Sequence, residues 1–198
     1  MRRKVSVILN TYRRPQTLKK QYEAVTTQSV IPTEVLLWKN HPEDDTEFDF
    51  EGIDGVAIAQ HNANYGVWAR FAFALNTCSD YICVFDDDTI PGENWFRNCI
   101  ECIENEQDGL YGTNGVTFND LDYNSYEQQG WANPNEKTEQ VDIVGHSWFF
   151  RRELLSAFWR ETVPPISPLC GEDMHFSYSI QKYMDLNTYV PPHPKDDQ

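Results

Sequence analysis

The chain has 198 residues, of which 40% are hydrophobic and 14% aromatic, so it is long and apolar enough to fold around one sizeable core. Its formal net charge of −15 argues against nucleic acid or an anionic membrane surface as a partner, because both are bound by basic surfaces. No apolar run approaches the ~20 residues of a membrane span, and no signal-peptide pattern opens the chain, so we expect a cytoplasmic protein without a membrane span.

The first half of the chain alternates predicted strands with predicted helices. Apolar runs predict the strands, and helical periodicity predicts the helices. The strands cover residues 4–12, 34–40, 56–62 and 81–85, and the helices cover residues 15–28, 66–77 and 91–105. The acidic segment 41–55 is predicted to be a solvated loop with no role beyond solubility. This order predicts an α/β fold with a mostly parallel central sheet flanked by helices, in which ligands bind outside the carboxyl ends of the strands.

The second half is less regular and is predicted to form a smaller unit. Its expected strands are 111–118, 141–150 and 187–192, and its expected helices are 151–162 and 172–184. Residues 119–140 show no clear period and are predicted to be a polar loop that carries aromatic residues. We expect a single domain over residues 1–198, with halves of about 1–113 and 114–198. The abrupt end in "PPHPKDDQ" suggests that it is one domain of a longer protein.

Three aspartates, residues 86–88, directly follow the apolar strand "YICVF". Crowded carboxylates raise one another's pKa unless a cation neutralises them, so their position favours a cation site over an ordinary acidic turn. An EF-hand loop is excluded, because the glycine required at its sixth position is Pro91 here. A haloacid-dehalogenase-like phosphatase also carries an Asp-x-Asp after a strand. That class needs threonine or valine where this chain has Ile90.

Four segments resemble the family-2-like glycosyltransferases of the GT-A fold, and they occur in that family's order. They cover the opening strand and nucleotide loop, the approach to the Asp-x-Asp motif, the element beside the sugar pocket, and a Glu-Asp pair that opens a helix. The segments are residues 5–29, 64–95, 141–154 and 171–183. The resemblance spans nearly the whole chain. It implies a Rossmann-like GT-A fold with a nucleotide-binding half and an acceptor-side half.

The resemblance also implies a divalent metal, Mn²⁺ or Mg²⁺, at the aspartates. Asp88 is expected to bind the metal, and Asp86 to contact the ribose or to help hold the metal. Asp87 remains ambiguous between a donor contact and no role. His193 follows the last strand, where some GT-A enzymes supply a further metal ligand. The alternative for His193 is a surface residue near the chain end.

The same resemblance assigns donor-binding residues. It implies nucleotide contacts at Thr11, Tyr12 and Arg13. Asn40 and Asn64 lie near predicted strand ends and are further candidates for the nucleotide pocket. Arg70, on a helix that leads to the ligand edge of the sheet, is expected to contact the nucleotide or diphosphate, with a snorkelling surface arginine as the alternative. Arg14 is a weaker candidate, and Arg13 has the alternative of a solvated surface charge. His146 and Trp148 are expected to line the donor-sugar pocket, although Trp148 suits the core equally well. Trp131 is expected either to stack on an acceptor sugar or to pack beneath its loop.

Glu172 and Asp173 follow Gly171 and lie in the first turn of a predicted helix. One interpretation is that both acids only complement the helix dipole. The resemblance instead implies that Asp173 is the general base of an inverting enzyme and that Glu172 binds a sugar hydroxyl. A retaining enzyme would need a different arrangement.

The function that the resemblance implies is transfer of a hexose or deoxyhexose from a nucleotide sugar, with UDP as the first choice of nucleotide, to a glycan acceptor. Three alternatives stay open. They are a sugar nucleotidyltransferase, a haloacid-dehalogenase-like phosphatase and a sugar-nucleotide-binding domain without turnover.

Overall fold

A computed structural model describes residues 3–131, 133–161, 169–193 and 195. The strands are β1 (Val5–Thr11), β2 (Glu34–Lys39), β3 (Ala57–Gln60), β4 (Tyr81–Phe85), β5 (Gly109–Tyr111), β6 (Asn114–Phe118), β7 (Tyr126–Gly130), β8 (Glu139–Val141), β9 (Ile143–Gly145), β10 (Ser147–Arg151) and β11 (Asn187–Val190). The helices are α1 (Pro15–Thr26), α2 (Ala69–Ala74), α3 (Trp95–Asn105), α4 (Leu155–Phe158) and α5 (Glu172–Met184), and a 3-10 turn (Arg152–Leu154) precedes α4.

Eight strands form the central sheet in the order β3-β2-β1-β4-β10-β5-β11-β8. The first four are parallel, as the βαβ pattern predicts. β10 enters antiparallel between β4 and β5, whereas β11 is parallel to β5 and β8 closes the sheet antiparallel to β11. The predicted α/β fold with a mostly parallel central sheet is therefore confirmed, and the sheet continues through both halves of the chain.

Each face of the central sheet is covered by helices. Side chains such as Leu9 and Phe85 pack with α1 and α3, whereas Ile82 and Val84 pack with α2, α4 and α5. All five residues of β4 are buried, which explains why this strand reads as a continuous apolar run. The aspartates that follow β4 therefore have a fixed position at the carboxyl edge of the sheet.

The second half differs from the prediction in its details. A separate antiparallel sheet, β7-β6-β9, forms in the second half of the chain, and its strand β7 falls in the segment predicted to be a loop. The expected strand 141–150 is divided among β8, β9 and β10. The break between β9 and β10 lies at His146, whose backbone has a φ of 64°, a left-handed conformation that a regular strand does not contain.

Two predicted helices are shorter than expected. Helix 66–77 is helical only over Ala69–Ala74, and helix 151–162 is reduced to the 3-10 turn and α4. Apolar composition predicted longer helices than the one to two turns that form. No helix among the described residues is long and apolar enough to cross a membrane.

Candidate functional site

The aspartate loop after β4 is fixed by backbone contacts to two elements. The Asp86 N–H donates to the carbonyl of His146 at 2.9 Å, which ties the loop to the turn between β9 and β10. From α1, the Gln21 side chain donates to the carbonyls of Asp86 and Thr89, both at 2.6 Å, and the Thr17 hydroxyl donates to the carbonyl of Asp87. The carboxylates therefore project from a backbone held on both sides.

Arg70 connects the aspartates to the acid pair of α5. Its guanidinium is 2% exposed and bonds to Asp86 at 2.5 Å and to Glu172 at 2.7 Å, and it lies over the ring of Trp148 at 4.7 Å. Burial disfavours the charged guanidinium, but the charges of Asp86 and Glu172 outweigh burial and raise the pKa of Arg70 above its ordinary value. The contact between Arg70 and the donor nucleotide or diphosphate stays a prediction, and in the structure its guanidinium is bound to these two carboxylates.

A second arginine neutralises the other two aspartates. Arg14 contacts the carboxylate of Asp88 and bonds to Asp87 at 3.1 Å. Burial raises the pKa of Asp87 above its ordinary value, although the charge of Arg14 opposes the shift. Arg14, the weaker nucleotide candidate in the loop after β1, is thus the residue that contacts Asp87 and Asp88.

Asp86, Asp88 and His146 form a group with the chemistry of a metal site. One ligand atom from each lies within 4.8 Å of the other two, and the imidazole Nδ1 of His146 is 3.8 Å from an Asp86 carboxylate oxygen. Two carboxylates and one imidazole suit Mn²⁺, and the carboxylates alone suit Mg²⁺. His193, the predicted third ligand, is outside this group, and its role as a ligand stays a prediction.

Four of the predicted nucleotide contacts lie around Glu43, a residue that was not predicted to belong to the site. They are Tyr12, Arg13, Asn40 and Asn64. Glu43 accepts hydrogen bonds from Tyr12 and, at 2.8 Å, from Asn64, and it pairs with Arg13 at 2.9 Å. The Tyr12 and Asn64 hydrogen bonds lower the pKa of Glu43 to about 2. Asn40 donates to Asn64 at 2.7 Å. The segment 41–55 thus contributes an organised carboxylate, so the prediction that it serves solubility alone is wrong.

Thr11 lies at the end of β1, directly before Tyr12, and its side chain is fully buried. Its carbonyl accepts a hydrogen bond from the backbone of Asn40 at 2.9 Å, which fixes the ends of β1 and β2 side by side. The role of Thr11 as a nucleotide contact stays a prediction.

The acid pair of α5 and Asp86 line the same cavity. This first cavity has a volume of about 240 Å³, and its polar lining comes mainly from Asp86, His146, Glu172 and Asp173. Glu172 is 7% exposed, and burial raises the pKa of its carboxyl, against the influence of Arg70. Asp173 is half-buried and accepts a hydrogen bond from the backbone of Met174 at 2.7 Å. The structure thus brings both predicted catalytic acids and the predicted sugar-pocket residues to one cavity.

A second cavity of about 360 Å³ lies on the other side of His146. Asp88, Trp131 and His193 border it, and Trp131 is 64% exposed with its ring 6.4 Å from that of His146. Trp131 does not line the first cavity, so its predicted contact with an acceptor sugar stays a prediction.

A sequence model described as glycosyl transferase family 2 matches residues 6–161. The chain belongs to glycosyl transferase family 2. A search of curated proteins finds no match to it. The matched segment contains the Glu43 cluster and the complete aspartate loop, but it ends before the acid pair of α5.

Solved structures with similar folds agree with this family membership. The structure titled GalNAc-T7 with UDP, GalNAc and Mn²⁺ has a TM-score of 0.71 at 12% identity, over 96% of this chain and 42% of that one. S. aureus TarS has a TM-score of 0.64 at 14% identity, over 94% of this chain and 35% of that one. S. aureus TarS 1–349 in complex with UDP has a TM-score of 0.65 at 14% identity, over 94% of this chain and 57% of that one. The GT-A fold is confirmed, and this chain spans between about a third and three-fifths of these relatives.

Gln21 and Glu43 of this family 2 member were not predicted as site residues, and Arg14 was only a weaker nucleotide candidate. Gln21 carried the clearest signal, because it is a polar residue on the apolar face that α1 forms with Leu18 and Val25. Arg14 and Glu43 gave little sequence signal, because both resemble ordinary charged surface residues. Their roles depend on pairs 30 to 74 residues apart in the sequence.

Proposed function

We propose that this family 2 member is a metal-dependent glycosyltransferase that moves a hexose or deoxyhexose from a UDP sugar to a glycan acceptor. One observation carries the proposal. Asp86 and His146 of the metal-site group line one cavity together with Glu172 and Asp173, and Arg70 bonds to both Asp86 and Glu172. Transfer needs a place for the leaving diphosphate opposite a base for the attacking hydroxyl, and this arrangement supplies both.

Asp86, Asp88 and His146 would hold Mn²⁺ or Mg²⁺. When bound, the ion supplies positive charge that offsets the negative charge of the departing diphosphate. The chain's own residues prepare this corner, because Gln21 and Thr17 fix the loop backbone and Arg70 holds the Asp86 carboxylate in place. Arg14 now contacts Asp88, so it has to move if that carboxylate binds an ion.

The Glu43 cluster is the site proposed for the nucleoside. A carboxylate that accepts hydrogen bonds suits the N–H of a uracil ring, and Tyr12 adds an aromatic surface. Arg13, Asn40 and Asn64 fix that carboxylate or contact the ribose. The nucleotide would therefore extend from the end of β1 towards the aspartate loop, and the donor sugar would lie near His146 and Trp148.

We expect Glu43→Gln to weaken UDP binding about tenfold, because the variant loses the charge that organises Tyr12, Arg13 and Asn64. Isothermal titration of UDP in the presence of Mn²⁺ measures the effect. Glu47→Gln, an exposed substitution in the same loop, is the control and should bind UDP as the original chain does. Equal affinities of both variants would remove the nucleoside from this cluster.

Asp173 is proposed as the general base that takes the proton of the acceptor hydroxyl as this hydroxyl attacks the anomeric carbon. We expect Asp173→Asn to lower kcat by ~10²–10⁴-fold, the usual contribution of such a base, while UDP binding is retained. Asp185→Asn, at the other end of α5, is the matched control and should keep its turnover. The anomeric configuration of the product, read by NMR, gives an independent test, because retention of configuration is incompatible with this role.

Release of a nucleoside diphosphate from a panel of nucleotide sugars with Mn²⁺ tests the proposed function as a whole. Release from a UDP sugar supports it. A nucleotidyltransferase would instead release pyrophosphate from a nucleoside triphosphate and a sugar phosphate. A phosphatase would release phosphate from simple monoesters without any nucleotide, and a non-catalytic domain would bind a nucleotide sugar unchanged.

A further inference from the structure

The hairpin formed by β6 and β7 carries a turn, residues 119–125, that is held by its own hydrogen bonds. The Asp120 carboxylate accepts from the backbone of Asp122 at 2.7 Å, and the Asp122 carboxylate accepts from that of Asn124 at 3.0 Å. The backbone of Asn119 donates to the carbonyl of Ser125 at 2.9 Å, which closes the turn. Such aspartate turns keep a loop in one conformation, so the side chains of the hairpin are positioned before any ligand arrives.

Three aromatic side chains of this hairpin border the first cavity, and we call them the aromatic wall: Phe118, Tyr123 and Tyr126. The ring of Phe118 lies 5.6 Å from that of Tyr123 and 6.3 Å from that of Tyr126. Tyr123 is 63% exposed and Tyr126 is 48% exposed. Exposed aromatic rings that face a cavity offer flat apolar surfaces, and their hydroxyl groups can still form hydrogen bonds.

The opposite side of the first cavity is acidic. Asp86, Glu172 and Asp173 contribute carboxylates, and no lysine or arginine is among the described residues that line it. Arg70 neutralises Asp86 and Glu172 without lining the cavity, and none of the ion pairs among the described residues involves Asp173. A carboxylate, sulfate or phosphate on a ligand would meet this acidic side, and like charges repel strongly where water is partly excluded.

We propose that the aromatic wall binds the terminal ring of an uncharged glycan acceptor and presents one of its hydroxyls to Asp173. This inference rests on the proposed function. A neutral sugar ring matches the cavity on both sides, because its C–H faces stack on aromatic rings while its hydroxyls donate to carboxylates. The cavity, at about 240 Å³, is smaller than the ~300–1,000 Å³ of most small-molecule sites, so it takes one terminal ring rather than an extended chain.

The test is a glycan array that displays neutral glycans beside sialylated, uronic-acid and phosphorylated ones, together with unglycosylated serine and threonine peptides. The array is probed with the whole chain in UDP and Mn²⁺, which occupy the donor side without allowing transfer. The variants are Tyr126→Ala, Tyr126→Phe and, as a matched control, Tyr178→Ala. Tyr178 is 56% exposed on α5 and does not line the first cavity.

We expect binding to neutral glycans only, weakened about five- to tenfold in Tyr126→Ala and retained in Tyr126→Phe and Tyr178→Ala. Capture of acidic glycans, capture of peptides, no captured glycan, or equal binding by Tyr126→Ala and Tyr178→Ala would each overturn the inference. Thermal stabilisation of the original chain by UDP with Mn²⁺ is measured in parallel. If that stabilisation is present, failure on the array is a failure of the acceptor inference alone, whereas its absence is a failure of the proposed function.

Discussion

Replacing Asp88 by asparagine is expected to abolish sugar transfer and to remove the dependence of UDP binding on Mn²⁺. Asp88 supplies one of the three ligand atoms of the only group in the described part of the chain that has metal-site geometry. Asparagine has nearly the same shape but no charge, so it should bind a hard divalent cation far more weakly. Because the ion offsets the charge of the leaving diphosphate, we expect turnover to fall by at least ~10²–10³-fold. Transfer assays and titrations of UDP with and without Mn²⁺ measure both effects.

The fold of this variant should survive, because Asp88 is exposed and its partner Arg14 is half exposed. Surface ion pairs of this kind contribute ~0–1 kcal/mol to the free energy of unfolding. Asp80→Asn, an exposed aspartate just before β4, is the control and should leave turnover and metal dependence unchanged. Normal turnover of the Asp88 variant would show that the aspartate loop has no role in the chemistry.

Replacing Arg70 by methionine is expected to cause the largest loss of stability of any single substitution considered for this site. The variant leaves the Asp86 and Glu172 carboxylates without their shared cation, and Glu172 is buried. Removing one partner of a buried ion pair costs about 3 kcal/mol or more in the free energy of unfolding. For a chain of this length, that loss lowers Tm by roughly 6–12 °C, which thermal denaturation measures directly.

The loss should depend on pH in a defined direction. Burial already raises the pKa of Glu172, and without Arg70 the largest opposing influence on that pKa is lost. The variant should therefore lose more stability as pH rises and Glu172 ionises, whereas Arg70→Met combined with Glu172→Gln should recover part of the loss. Arg151→Met, which breaks a half-exposed pair with Asp108, is the control and should cost ~1 kcal/mol or less. Equal losses of stability in the Arg70 and Arg151 variants would contradict a stabilising role for the buried contacts of Arg70 with Asp86 and Glu172.

The strands of the first half were predictable because buried parallel strands carry their signal locally. All five residues of β4 are buried and apolar, and the aspartates that follow stand where a parallel sheet places its ligands. The first turn of α5 was equally clear, since Gly171 and the acid pair mark a helix start. These local signals were enough to bring Asp86, Glu172 and Asp173 to one site.

Other features were not predictable because they depend on contacts between distant segments. Strand β7 has mostly polar residues and exists through its pairing with β6, so no periodicity reveals it. The left-handed backbone at His146 divides a run that reads as one strand, and it turns the imidazole towards Asp86. The two carboxylates that Arg70 bonds to, Asp86 after β4 and Glu172 in α5, could not be read from the sequence because they are far apart along the chain.

The central claim is that a divalent ion and a nucleoside diphosphate together occupy the corner between Asp86 and Asp88. Crystals grown with UDP and Mn²⁺, with diffraction recorded near the manganese absorption edge, test it most directly. We predict one anomalous peak that contacts Asp88 and the diphosphate, with Arg14 withdrawn from Asp88. UDP bound with no anomalous peak at these aspartates, and with Arg14 still on Asp88, would contradict the account.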